Sequence, residues 1–316
     1  MKTQEELRVF YDTTLKAQLE VLDQRRRSSV TGGIIAAGVL VIGGLIFGML
    51  MVSAGNPVLV LFPVAGGAIV GALLFKAFTS GYRSEFKQTI VRSVIEFLEP
   101  GLRYSPEQGI NKELFRAGDM FQHHIDRYHC EDMVQGRVGQ TEVSFSEVHA
   151  EYKTGSGKDT HWHTIFKGLF FIGDFHKDFR GRMVVLPDTA EKLFGGLGQK
   201  LQGWNFSRDS LIKMDDPEFE REFVVYGTDQ VEARYILSPS LMERITAFRN
   251  KMETEIYLGF AGSRVFVGVP KKEDWFEPSL FGGAGFDAIL MYAAQLRLAV
   301  DIVENLNLNT RIWSKV

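Results

Sequence analysis

All seven histidines of this 316-residue chain fall between His123 and His176. In His161-Trp162-His163 a strand places both imidazoles on one face, because side chains alternate along it. If the preceding strand folds back across the loop 154–159, Glu151 comes opposite His163, with His149 two residues further on. Two imidazoles and a carboxylate on one sheet face suit zinc or another divalent cation. His149, Glu151, His161 and His163 are therefore the candidate metal ligands. His123, His124 and His129 join them only if the fold brings them close. The competing reading is a set of surface or half-buried histidines, and no other cofactor is expected. Neither H-E-x-x-H nor a paired C-x-x-C motif is present.

Other reactive groups are weaker candidates. Cys130 is the only cysteine, which excludes an intrachain disulfide and fits a reducing compartment. Its acidic neighbours Glu131 and Asp132 would raise the thiol pKa and make the thiolate scarcer. Gly155-Ser156-Gly157-Lys158 lacks the earlier glycine of a phosphate loop and links two strands, so it reads as a hairpin. Gly282-Gly283-Ala284-Gly285 precedes a helix and could present N–H groups to an anion, or simply give the helix a slack entry. Glu232 and Arg234, read on a strand, share a face and could pair. Glu131, Asp132 and Glu147 could do acid–base work only if two of them flanked a substrate. Trp275, Phe276 and Trp313 read as exposed aromatics for a partner or a membrane interface. No catalytic residue is identified, and the balance leans away from an enzyme.

The elements that position these residues begin with a membrane anchor. From Ser28 to Phe75 there are 48 positions without a charge. Thr31 to Val52 is long enough, at roughly 33 Å as a helix, to cross a bilayer core of about 30 Å. Ser53 to Pro57 breaks the run, and Val58 to Phe75 forms a second span. Arg25, Arg26 and Arg27 precede the first span; Lys76, Arg83, Lys87 and Arg92 follow the second. The positive-inside rule then places both termini in the cytoplasm of a multi-pass inner (plasma) membrane protein. The length of the apolar run and the acids before it argue against a signal peptide. Gly44-x-x-x-Gly48 and Gly67-x-x-x-Gly71 allow close helix approach, either between the two spans or between copies in a homo-oligomer. Neither span core carries an ionisable side chain, which counts against a transporter.

Thr3 and Glu6 form a capping box for a helix over 3–27. Its apolar stripe pairs with a second stripe at Phe86, Ile90, Val94 and Phe97. Asn111 caps a short helix. Strands are expected over 133–139, 141–152, 160–175, 182–186, 219–226, 231–237, 255–260 and 264–269. Helices are expected over 189–201, 238–252 and 286–306. Strand hairpins interspersed with helices predict an α+β fold with a mainly antiparallel sheet. The expected organisation is an amphipathic helix over 1–29, a transmembrane hairpin over 30–78, a juxtamembrane stalk over 79–103 and a cytoplasmic α+β domain over 104–316. Net charge is -3. The basic surplus lies beside the spans, so the mildly acidic remainder excludes a generic nucleic-acid binder.

Several motifs carry a family likeness: Tyr82-Arg83, Tyr104-Ser105-Pro106, Glu131-Asp132-Met133-Val134-x-Gly136, Ser144-Phe145-Ser146-Glu147-Val148 and Gly168-Leu169-Phe170. The last is Asp229-x-x-Glu232-Ala233-Arg234-Tyr235-Ile236-Leu237-Ser238-Pro239. Together, over about residues 80–280 and the preceding hairpin, the chain resembles the domain-of-unknown-function family DUF3137 of bacterial and archaeal membrane proteins. The resemblance implies a prokaryotic membrane protein and brings no catalytic residue. The expected function is a membrane-tethered binding or scaffolding module with lipid along 30–78 and a protein partner at the cytoplasmic face. A metal-dependent enzyme built on His149, Glu151, His161 and His163 is the alternative, and a channel or transporter subunit a weaker one.

Overall fold

A computed structural model describes residues 1–52, 61–175, 177, 179–188 and 210–309. It divides into two compact units. One comprises Met1–Leu98 with Phe276–Ala293, the other Glu99–Trp275 with Ala294–Val316.

The first unit is helical. Helix α1 (Gln4–Phe10) passes through a π-helical turn at Tyr11–Leu15 into α2 (Lys16–Val52). Thr3 and Glu6 cap its start reciprocally, as the sequence predicts. Helix α3 (Leu61–Phe86) continues through a π turn at Lys87–Val91 into α4 (Arg92–Leu98). Both runs are long and apolar enough to cross a membrane. Outward-facing Ile34, Ile42, Phe47, Phe62, Ile69 and Leu73 are exposed, as lipid-facing side chains would be. Glycine lets α2 and α3 touch along their backbones. A Cβ on Gly44 would lie 2.5 Å from the Pro63 carbonyl oxygen, and one on Gly67 2.6 Å from that of Leu40. These two glycines therefore pack the helices against each other, one of the two uses the motif allowed.

Beneath the apolar stretch, Phe10 stacks on Phe97 at 4.1 Å and Arg25 pairs with Glu85. Leu15, Leu19, Leu22, Phe86, Ile90 and Val94 are buried, so the two predicted stripes form the interior of this unit. Glu277 binds Lys87 at 2.5 Å and Arg83 at 3.1 Å. Lys87 is almost wholly buried, and burial of an ammonium is tolerated when a carboxylate partners it.

The second unit is built on one antiparallel sheet. In chain order its elements are β1 (Leu102–Ser105), α5 (Lys112–Ala117), β2 (Arg127–Val138), β3 (Thr141–Thr154), β4 (His161–Asp174) and β5 (Arg182–Pro187). Then come β6 (Ser210–Ile212), α6 (Pro217–Glu222), β7 (Phe223–Gly227), α7 (Gln230–Ile236) and α8 (Pro239–Met252). The last are β8 (Tyr257–Ala261), β9 (Arg264–Pro270) and α9 (Phe286–Asn305), whose residues beyond Ala293 belong to this unit. The strand order is β1-β2-β3-β4-β9-β8-β5-β7-β6. The α+β class with a mainly antiparallel sheet is thus as expected. On one side of the sheet Phe115 of α5 packs against Phe121, Tyr128, Phe166 and Phe170. Ile172, Val184, Leu186 and Phe266 extend that core.

Three local expectations are overturned. Residues 231–236 form a helix, not a strand, because the Asp229 side chain accepts hydrogen bonds from the N–H groups of Val231 and Glu232 and caps it. Phe219 lies in α6, where Asp216 caps and Pro217 takes the first position, so the strand there starts only at Phe223. Trp275 and Phe276 are buried core residues, not exposed aromatics. The helix expected over 189–201 and the aromatic Trp313 lie outside the described residues.

Candidate binding site

The four predicted metal ligands sit near the β3–β4 hairpin end and do not converge. The loop 155–160 closes on Thr154 opposite His161, so His163 pairs with Tyr152 and Glu151 with Thr164. This is one residue away from the register expected, and a one-residue step moves a side chain to the other face. Glu151 instead accepts from Arg127 at 3.2 Å and lies 3.7 Å from His149. His163 is 2.8 Å from the Thr154 hydroxyl, and the Tyr152 ring stacks between His123 and His163. Arg127 also covers the Trp162 ring at 3.9 Å, a cation–π contact. Among the described residues no three of His149, Glu151, His161 and His163 bring ligand atoms together.

The remaining candidates resolve into structural roles. The Glu232 carboxylate does not pair with Arg234; it accepts from the N–H groups of Arg180 and Gly181, both at 2.8 Å. Gly155 and Gly157 take positive φ in the expected hairpin loop. Burial first, and Glu131 second, push the Cys130 thiol above its ordinary pKa, so it is a poor nucleophile.

The motif residues instead gather around a pair of buried carboxyls. A bulge interrupts β2 between Glu131 and Val134. Asp132, inside it, is buried and takes φ of 60°, a left-handed conformation that Asp tolerates better than most residues. Its N–H donates to the Pro106 carbonyl and that of Met133 to the Gln108 carbonyl. The Tyr104 hydroxyl donates to the Asp132 carboxylate. Ser146 accepts from the Ile110 N–H at 3.0 Å. Glu147 is in register with Glu131 across β2–β3 and accepts from the Trp275 N–H at 2.7 Å. Gly136 has φ of 146°, and a Cβ there would lie 2.1 Å from the Gly101 carbonyl oxygen, so β1 can pair only with glycine at that position.

Desolvation raises the Glu147 carboxyl to a pKa of about 7, against the pull of the Trp275 N–H. Asp274, Glu131 and Asp132 add to the rise. Lys167 balances part of this charge through its 2.7 Å contact with Asp274. Such a carboxyl exchanges its proton near neutrality. Sequence reasoning named Glu131, Asp132 and Glu147 separately and missed that Tyr104 and Trp275 join them.

Beyond the end of α5 the sheet face stays open. A cavity of about 680 Å³ there is lined by Arg103, Gln135, Ser144, Glu142, Asp174 and Arg264, and by apolar Leu114 and Ile172. Register places Arg103, Gln135, Ser144 and Ile172 side by side across four strands. Two guanidinium groups, two carboxylates and an amide beside apolar lining can recognise a polar chain carrying both charge signs.

Comparison with known proteins agrees with the resemblance over part of the chain. Residues 164–308 match the family described as "Protein of unknown function (DUF3137)". That stretch runs from within β4 through α9, so the apolar helices and β1–β3 lie before it. The crystal structure of the mycobacterial trehalose monomycolate transport factor A, TtfA, is similar at 11% sequence identity and a TM-score of 0.32. The alignment covers 68% of this chain and 93% of that one. No curated protein matches.

Proposed function

We propose that this protein is a membrane-anchored binding module. Its two apolar helices cross the inner membrane with both termini in the cytoplasm, and its α+β unit holds a segment of a partner protein. The observation that carries the binding reading is the open, mixed-charge groove formed by Arg103, Gln135, Glu142, Ser144, Asp174 and Arg264. A sheet face covered by α5 over part of its length and left open and charged over the rest is a surface suited to a partner. Charged rims favour selection among partners over raw affinity. Anchoring on a membrane raises the local concentration of such a module relative to membrane-bound partners.

The test is site-specific photo-cross-linking of the full-length protein in its native cells. A photoreactive residue replaces Gln135 in one variant and exposed Val231 in another. The reading expects a discrete protein adduct from position 135, absent from position 231 and lost when Arg103→Glu and Arg264→Glu are combined. Equal adducts from both positions, or an adduct indifferent to the charge reversals, would refute it.

A further inference from the structure

The segment between Phe276 and α9 holds an exposed phenylalanine against the base of the second apolar helix. Phe281 is 78% exposed. Its ring lies nearly parallel to that of Phe75, with centroids 6.2 Å apart. Phe75 is the last residue of the uncharged run, directly before Lys76. It also marks a level on the first helix, since a Cβ on Gly33 would touch the Phe75 ring at 2.8 Å. Gly33 lies six residues beyond Arg27, about 9 Å along a helix. Phe281 therefore sits where charge gives way to apolar surface on both helices.

The loop is tied to both helices and turned by its own hydrogen bond. Glu277, at its root, binds Lys87 and Arg83. Arg26 donates to the Leu280 carbonyl at 2.8 Å. The Ser279 hydroxyl accepts from the Gly282 N–H at 3.0 Å, turning the chain so that Phe281 forms its tip. An aromatic ring presented to water by three fixed contacts wastes apolar surface; the same ring at a bilayer boundary does not. Phe78, on the same helix and 48% exposed, continues the apolar surface beside it. Exposed Lys76 directly follows Phe75, and Arg25 and Arg27, paired with Glu85 and Asp23, lie just before the apolar run of the first helix; Lys76 there suits lipid phosphates.

We infer that the loop 278–285 is a third membrane-contacting element, with Phe281 seated in the boundary between lipid headgroups and acyl chains. The inference rests on the proposal that the two apolar helices cross the membrane. It adds to it that a segment about 200 residues further along the chain returns to the bilayer surface, as the separation of Phe75 from Phe281 requires.

The experiment uses the full-length protein with Cys130→Ala, reconstituted in vesicles of phosphatidylcholine and phosphatidylglycerol. Single cysteines carrying a nitroxide replace Phe281, Ile69 and Val231 in turn. Accessibility to oxygen and to a water-soluble nickel chelate gives the depth of each label. The label at 281 is expected about 5–10 Å beneath the phosphates, the depth of an interfacial side chain. The label at 69 should lie deeper and that at 231 in water. A deep label at 69 with one at 281 as wet as that at 231 overturns the inference and leaves the anchor standing. Wet labels at both 69 and 281 overturn the anchor as well. Phe281→Trp, made with Cys130 intact, gives a second readout. Its added fluorescence should be quenched by lipids brominated near the headgroup, and unchanged emission counts against the inference.

Discussion

Replacing Glu147 by glutamine tests whether this carboxyl is held neutral by its surroundings. The glutamine oxygen can still accept from the Trp275 N–H, while the charge is gone. In the folded protein the carboxyl titrates at about 7, against 4.5 for the ordinary group. The folded state thus binds the proton more tightly than the unfolded chain. Its contribution to stability is full below the ordinary value and is lost as pH rises through about 7. Carried from pH 5 to pH 8, that shift costs the wild type on the order of 2–3 kcal/mol. Glu147→Gln should lack this loss. At pH 8 the variant should be more stable than the wild type by about 3 kcal/mol, and near pH 5 the two should differ by less than about 1 kcal/mol. Urea unfolding of the full-length protein in detergent, followed by tryptophan fluorescence, reads this directly, since Trp275 is buried beside the site. With a urea slope of about 2 kcal/mol/M the midpoint at pH 8 should rise by about 1–2 M. Carboxyls remote from the site affect both proteins alike, so the difference between them reports position 147 together with its neighbours Asp274, Glu131 and Asp132. A variant whose midpoint falls with pH as steeply as that of the wild type would refute the reasoning.

Three further outcomes follow from packing and capping. Gly67→Leu should force α2 and α3 apart, because its Cβ alone would approach the Leu40 carbonyl to 2.6 Å; disulfide cross-linking between cysteines at Ala37 and Gly71 should be lost in that background. Asp229→Ala should cost about 1 kcal/mol by removing the α7 cap, read as a lower urea midpoint, with Asp229→Asn recovering most of it. Protease added to intact spheroplasts should leave residues 80–316 uncut, while the same protease added to lysed cells cuts them; cleavage in intact spheroplasts would reverse the proposed orientation.

Much of the fold was legible because local rules and burial agree. The Thr3–Glu6 box, the two apolar runs, the Asn111 cap and the long hairpins of β2–β4 are each specified within a few residues of chain. Residues 231–237 read as a strand because Val231, Ala233 and Tyr235 alternate with Glu232 and Arg234, and Ile236-Leu237 add β-favouring apolar bulk. The overriding signal, Asp229 followed by Glu232 at the third helical position, was present in the sequence as a capping pattern. Trp275 and Phe276 read as exposed because no local pattern buries them; their burial depends on distant contacts such as the Glu147 bond to the Trp275 N–H. Phe281 drew no notice, since a single phenylalanine in a glycine-rich loop has no periodicity to place it.

The sites were least legible where register is decided by one residue. Counting outward from the β2–β3 turn, where Val138 pairs with Thr141, would set Asp132 opposite Glu147. The bulge between Glu131 and Val134 changes that to Glu131 opposite Glu147 and turns Asp132 inward onto the Tyr104 hydroxyl. Likewise the closure of 155–160 on Thr154 and His161 separates Glu151 from His163. Both displacements are single residues, and each changes which polar groups meet. Like charges facing each other across a strand pair cost stability. The bulge creates such a pairing between Glu131 and Glu147, and burial relieves it by raising the Glu147 carboxyl to about 7, so that it holds its proton up to near neutrality. Tyr104, Asp132 and Glu147 stand in three of the motifs that carry the family likeness. Gly136, whose left-handed backbone admits β1, stands in the same motif as Asp132 and brings Tyr104 within reach of it. These residues, which precede the stretch that matches the family, act as a register device that joins β1 to the bulged strand, and its carboxyls are fixed by geometry that no single motif contains.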